Sequence, residues 1–225
     1  LEYHAGKRSL PLTAESLRLR IAPYSQLLLD LGTGDGRFVR QVAASHPDML
    51  AIGLDACRDP LRAGGRHLSS NALFLVANVL EPPTELAALH GLVTHLTIHF
   101  PWGSLLIGLL EGDDRLLSLC AGTVHPGAQV EVWLNAGALA EAGFELEAGA
   151  RRVRQMLRSA GFQVRTPDPC DARALRACPT TWAHRLAFGR DPRALVLRGC
   201  APVPLADDIT AARLVFQLTR KNDVI

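Results

Sequence analysis

The chain has 225 residues, 48% hydrophobic and 20% charged, which supplies one sizeable core and predicts an ordinary globular protein. Its formal net charge of +2 gives no general pull toward polyanions, although 22 of the 24 basic residues are arginine and they cluster locally. No apolar run reaches the ~18 residues of a membrane span, and the five cysteines lack C-x-x-C spacing, so we expect no membrane, no structural metal and reduced thiols in a cytoplasmic protein.

In chain order, QLLLDLG is a short apolar run closed by glycine and followed by a helical stretch, RFVRQVAASH. A second run, MLAIGLDA, leads into the basic piece PLRAGGRHLSS. A third, ALFLVAN, precedes the proline-rich turn EPPTELAALHG. A fourth, GLVTHLTIHF, and a helix around DDRLLSLCAGTV lead to a fifth run, AQVEVWLNA. Strands alternating with helices at these intervals predict a parallel, doubly wound α/β sheet, because each crossover helix returns the chain to start the next parallel strand. Beyond Gly149 come a basic helix RRVRQMLRSAGF, a loop TPDPCDARALRACPTTW and a last strand ALVLRG.

The loop after the first run reads Asp30-Leu31-Gly32-Thr33-Gly34-Asp35-Gly36. Alternate glycines let backbone approach a ligand, and the helix that follows offers unpaired N–H groups. Arg37 stands where the dinucleotide pattern G-x-G-x-x-G needs its third glycine, which arrives one residue early at Gly36, and two carboxylates occupy the pyrophosphate position. A cationic, phosphate-free ligand such as S-adenosylmethionine suits that loop. Asp55, 25 residues after Asp30, is placed to accept two ribose hydroxyls, and Asn78, Val79 and Leu80 would border the adenine. The same residues also suit a plain turn and helix caps.

Ligands of open α/β sheets sit beyond the carboxyl ends of the strands, and HFPWGSLL lies there. Amino-directed adenine methyltransferases carry a polar residue before Pro-Pro-aromatic at this point, but here Phe100 fills that slot. A ring nitrogen such as adenine N1 needs no base, because its lone pair is free at neutral pH, and a tryptophan face can place it. Trp102 is one such face or a core aromatic. Trp182 lies in a polar, arginine-bearing segment, whereas Trp133 alternates with strand residues and reads as packing. Two tryptophans from separate loops can sandwich a base extruded from RNA. His95 and His99 share a strand face without a third ligand and read as structural.

Through GKR, DLGTGDG, FPWGSLL and TTWAHRLAFGR, from about Gly6 to Gly199, the chain resembles the aminoglycoside-resistance methyltransferases of the kanamycin–apramycin group, which modify N1 of the decoding-site adenine of 16S rRNA. The resemblance implies the class I S-adenosylmethionine-dependent fold, with a seven-stranded, mostly parallel sheet and an antiparallel last strand. It implies that Asp30, Gly32, Thr33, Gly34, Asp35, Gly36, Asp55, Asn78, Val79, Leu80, His99, Ser104, Thr180 and Thr181 hold the cofactor. Phe100, Pro101, Trp102 and Trp182 would form the base pocket. Lys7, Arg8, Arg62, Arg66, Arg151, Arg154, Arg158, Arg185, Arg190 and Arg193 would meet RNA, with 151, 154 and 158 on one helical face.

The expectation is therefore a monomeric methyltransferase acting on 16S rRNA within the assembled 30S ribosomal subunit. One domain spans 1–204, with an N-terminal extension at 1–25, a cofactor half at 26–135 and a target half at 136–204; a tail of unassigned role follows at 205–225. Methyl transfer to another RNA or to a small aromatic metabolite, and non-catalytic RNA binding, are the alternatives.

Overall fold

The computed structural model describes residues 1–5, 8–58, 69–189 and 191–203. Lys7, Arg62, Arg66, Arg190 and the tail at 205–225, all named above, lie outside them.

The first apolar run forms β3 (Gln26–Leu31), the second β4 (Met49–Asp55), the third β5 (Ala72–Val76) and the fourth β6 (Val93–His99), all mutually parallel, and the fifth forms β7 (Val124–Asn135), parallel to β6. The last strand, β10 (Ala194–Cys200), runs antiparallel to β7 along its whole length and also antiparallel to β8 (Gln163–Val164). Seven strands in the order β5-β4-β3-β6-β7-β10-β8 thus make the sheet that was expected.

Three more strands bring the described total to ten. β1 (Glu2–Ala5) and β2 (Arg8–Pro11) form a hairpin that joins the sheet by antiparallel pairing of Glu2 and Tyr3 with Val76 and Leu75. The supposed loop after Thr166 holds β9 (Asp168–Cys170), paired with β10, and a helix at Ala172–Ala177. The basic helix begins at Leu146 and runs to Ser159, because Leu146, Ala150, Val153 and Leu157 give it a buried stripe upstream of its arginines.

Alternation along β3 divides the core. Leu27, Leu29 and Leu31 face one layer together with Ile52, Leu54, Leu96 and Ile98, while Leu28 faces the other with Val39, Ala43, Ala51 and Phe74 under the helix Arg37–Ser45. Each of the larger side chains, from valine to phenylalanine, stabilises the fold by about 1.5–3 kcal/mol. A third, smaller core gathers Phe100, Trp133, Leu175, Cys178, Ala183, Ala194 and Val196 beneath the helices Ala172–Ala177 and Thr181–Ala187. The strand order reverses between β3 and β6, so a crevice opens at their carboxyl ends, where Asp30 and His99 stand.

Candidate active site

Three loops meet in that crevice. The glycine loop follows β3; its Gly32 has φ +72° and lies so close to Leu105 that a Cβ would come within 2.6 Å of it. Gly36, at φ +70°, caps the helix Arg37–Ser45 and packs on the Phe74 ring, which leaves no room for a side chain.

Asp55, at the end of β4, accepts the Gly34 N–H through Oδ2 and the Cys57 N–H through Oδ1, both at 2.8 Å. Each oxygen keeps lone pairs for further donors. Burial raises the pKa of this carboxyl, opposed by the two backbone N–H bonds. Beside it Thr33 Oγ1 is buried without a partner among the described residues. An unpaired acceptor and donor there, next to a carboxylate with spare lone pairs, fits a ligand rich in hydroxyl groups.

Asp30 is not free to meet a cation directly. It is 2% exposed and accepts from Thr97 Oγ1 at 2.7 Å, with His99 Nδ1 at 3.1 Å. Burial pulls the His99 imidazole down, but its hydrogen bonds with Asp30 and Cys178 outweigh that and push it up to about 10. His99 is therefore an imidazolium paired with Asp30 at neutral pH, its ring centroid 4.3 Å from that of Phe38.

The third loop explains the peculiar FPWG stretch. Phe100 has φ +51°, the one positive value outside glycine among the described residues, and its N–H is fixed to the Trp133 carbonyl at 2.8 Å. Such a conformation costs about 1–3 kcal/mol and is kept where the surroundings enforce it. The ring, 3% exposed, enters the third core edge-on to Trp133, so Phe100 shapes the pocket from below and does not offer its face to a ligand. The reversal throws Trp102 outward, while Pro101 stays buried.

Trp102 is 39% exposed and Trp182 is 40% exposed. They come from segments 80 residues apart, yet their rings stack with centroids 5.4 Å apart and planes inclined by 12°. The Arg185 guanidinium lies 5.3 Å from the Trp182 ring centre. Trp182 rides on the helix Thr181–Ala187, whose N-cap Thr180 accepts the Ala183 N–H at 2.9 Å.

These groups line one cavity of about 490 Å³, within the range of small-molecule sites. It gathers Asp30, Gly32, Thr33, Gly34, Asp35, Asp55, Asn78, Val79, His99, Phe100, Pro101, Trp102, Ser104, Thr180, Thr181, Trp182 and Arg185. Two expected members stay outside: Gly36 sits behind the loop, and the Leu80 side chain packs into the core near Gly108. Phe38, Ala77 and Leu105 line the cavity without having been anticipated. Their only sequence signal was adjacency to the loops already singled out.

The basic residues scatter. Arg8, Arg151 and Arg158 are exposed, and Arg193 is held by both oxygens of Asp191. Arg154 is half-buried, its Nε donating to the carbonyls of Val164 and Arg165 at 3.0 and 2.9 Å. With Arg158 and Arg198 it lines a neighbouring cavity of about 1130 Å³ on the same sheet, which lacks the glycine loop and the indoles.

Known proteins resemble the chain in sequence and fold. A relative from Streptoalloteichus hindustanus, named 16S rRNA (adenine(1408)-N(1))-methyltransferase, is 32% identical over 205 residues, covering 83% of this chain and 92% of the relative. One of the same name from Escherichia coli is 27% identical over 203 residues, covering 82% and 91%. The crystal structure of the antibiotic-resistance methyltransferase Kmr aligns with TM-score 0.71 and 31% identity over 91% of this chain and all of that one. That of the 16S rRNA methyltransferase KamB aligns with TM-score 0.78 and 26% identity over 90% of this chain and all of that one. The family model for NpmA, 16S rRNA (adenine(1408)-N(1))-methyltransferase, matches residues 2–201, and the chain belongs to that family.

Proposed function

We propose that the chain transfers a methyl group from S-adenosylmethionine to N1 of adenine 1408 of 16S rRNA in the small ribosomal subunit, working as a cytoplasmic monomer and conferring aminoglycoside resistance. The observation that carries this reading is the stacked Trp102–Trp182 pair over a cavity that also holds the Asp55 carboxylate and the glycine loop.

Asp55 would take the ribose hydroxyls, and Thr33 Oγ1 would find its missing partner on the same ligand. Ala77 and Val79 supply apolar wall for an adenine ring. The Asp30–His99 pair presents a closed, internally neutral dipole rather than a bare charge. When bound, S-adenosylmethionine supplies an electrophilic methyl carbon.

The target adenine would lie between the two indoles, each face worth about 1–3 kcal/mol. Holding N1 in line is the chain's main task, since proximity and orientation alone can supply ~7–11 kcal/mol. No proton has to leave N1. In keeping with that, the carboxylates Asp30, Asp35 and Asp55 already accept hydrogen bonds from protein donors. As N1 acquires the methyl, the purine becomes cationic, and the π faces of Trp102 and Trp182 hold the cation more tightly than the neutral ring. The product cannot pair through N1, and the added charge and bulk sit on the edge that a drug ring would hydrogen-bond. Arg185, beside Trp182, is placed to take a phosphate next to the extruded nucleotide.

Primer extension across the decoding region of purified small subunits, incubated with the protein and S-adenosylmethionine, tests the assignment. A new stop at adenine 1408 is expected. Methylation of free nucleosides without such a stop would instead favour the small-metabolite reading.

A further inference from the structure

Thr181 opens the helix that carries Trp182, and its hydroxyl donates to Asp35 Oδ2 at 2.6 Å, across 146 residues of chain. The distance is that of a charge-assisted O–H···O⁻ bond, about twice the strength of a neutral one. The helix does not need that hydroxyl for itself. Its cap is already Thr180, whose Oγ1 takes the Ala183 N–H.

Asp35 is equally well placed on its own side. Its other oxygen, Oδ1, accepts the Arg37 N–H at 3.1 Å and so fixes the carboxylate to the first turn of the helix Arg37–Ser45. The preceding residue, Gly34, gives its N–H to Asp55. An unbroken path of short contacts therefore runs from Asp55 through the glycine loop and Asp35 to Thr181 and the adjoining Trp182.

The indoles need such an anchor. A base between them requires two contacts of about 3.5 Å, hence rings about 7 Å apart. The rings stand 5.4 Å apart, so one must swing outward to admit a base. With Thr181 fixed at the foot of the helix, Trp182 turns about its own side-chain bonds. Without that bond the first helical turn would be free to move with the ring, and the stacking geometry would be lost.

We propose that Thr181 is a positioning residue: through Asp35 it ties Trp182 to the cofactor loop, so that the tryptophan clamp and the cofactor pocket keep a fixed relative geometry. The inference rests on the base-clamp reading given above, but its decisive readout does not require methylation.

Thr181→Val keeps the shape and removes the donor; Thr181→Ser keeps the donor. Near-ultraviolet circular dichroism reads the indole pair, with Trp102→Phe marking how much of the band the pair contributes. Measured well below the thermal midpoint of each variant, Thr181→Val is expected to lose about half or more of that contribution, and Thr181→Ser to retain it. In single-turnover assays on small subunits, Thr181→Val should lower the rate about tenfold at saturating cofactor and be rescued by serine.

Parental dichroism in Thr181→Val, or an equal loss in Thr181→Ser, would overturn the proposal. If the parental protein left small subunits unmethylated, the substrate assignment would fall while the dichroism comparison still decided the role of Thr181.

Discussion

The cofactor side and the base side of the cavity are built in opposite ways. On the cofactor side, polar groups are buried and bonded in advance: Asp30 to Thr97 and His99, Asp55 to two backbone N–H groups, and glycines where side chains would collide. On the base side, two large indoles stand about two-fifths exposed, held by one strained residue and one short helix. The first arrangement suits a small ligand met by preorganised donors and acceptors. The second is a sequence-indifferent surface, so in the proposed function specificity for the target base would come from where the RNA as a whole is held.

The contrast can be broken from either side. The largest effect belongs to His99→Leu, which leaves Asp30 buried with its charge uncompensated and should cost about 3–5 kcal/mol of stability near pH 6.5. The sign follows from the raised imidazole. Its folded value of about 10 lies above the ordinary 6.5, so the pair stabilises fully below 6.5 and its contribution fades as pH rises toward 10. Denaturation midpoints of parental and variant protein should therefore converge with increasing pH; a gap that stays constant would show that His99 is neutral throughout.

Next is Asp55→Ala. Charge-assisted hydrogen bonds to a ligand are worth about 1.5–3 kcal/mol each, so calorimetry should show S-adenosylmethionine affinity reduced at least tenfold. The variant also strips the Gly34 and Cys57 N–H groups of their acceptor. Since burial raises the Asp55 carboxyl, affinity in the parental protein should begin to weaken at a higher pH than for an exposed aspartate as acid is added.

On the base side, Trp102→Ala and Trp182→Ala should each lower the methylation rate by about 10²-fold or less, in line with about 1–3 kcal/mol per stacked face, while cofactor affinity stays near parental. Phenylalanine at either position should recover part of the loss. The smallest effect is expected of the double variant Arg151→Ser, Arg158→Ser. If this exposed pair meets phosphates, the logarithmic salt dependence of small-subunit binding should flatten by about one unit per arginine, with little change in rate once bound. An unaltered slope would place the RNA elsewhere on the molecule.

The parallel strands were legible because strands buried on both faces are continuous apolar runs, as in LLLDL and MLAIGL. β9 was not. Asp168, Pro169 and Cys170 have no strand-like pattern and are extended because β10 offers them an edge, which is tertiary information. The N-terminal hairpin was missed for the same reason, its eight residues being mostly exposed or half-exposed and held by β5.

At the site, local chemistry was readable and pairing was not. The glycine loop, Asp55 and both indoles are distinctive in one dimension. That Asp30 is neutralised by a histidine 69 residues away, or that Asp35 reaches Thr181, depends on which strand ends the sheet brings together. Arg154 shows the same limit from the other side. Its helical spacing with Arg151 and Arg158 suggested a shared RNA face, and nothing in that spacing announced the two carbonyls at the end of β8 that its Nε also meets.

The margins of the sheet carry one more consequence. At one border stands β2, four residues long with exposed Arg8 and with Pro11, which has no N–H to give; at the other, pairing with β10 is divided between β8 and β9, two and three residues long. Among the described residues neither fringe presents an unbroken ladder onto which a foreign chain could zip. Concentrated protein should accordingly resist cross-β fibril growth at its borders, and replacing Pro11 and Arg8 by valine is the change that would invite it.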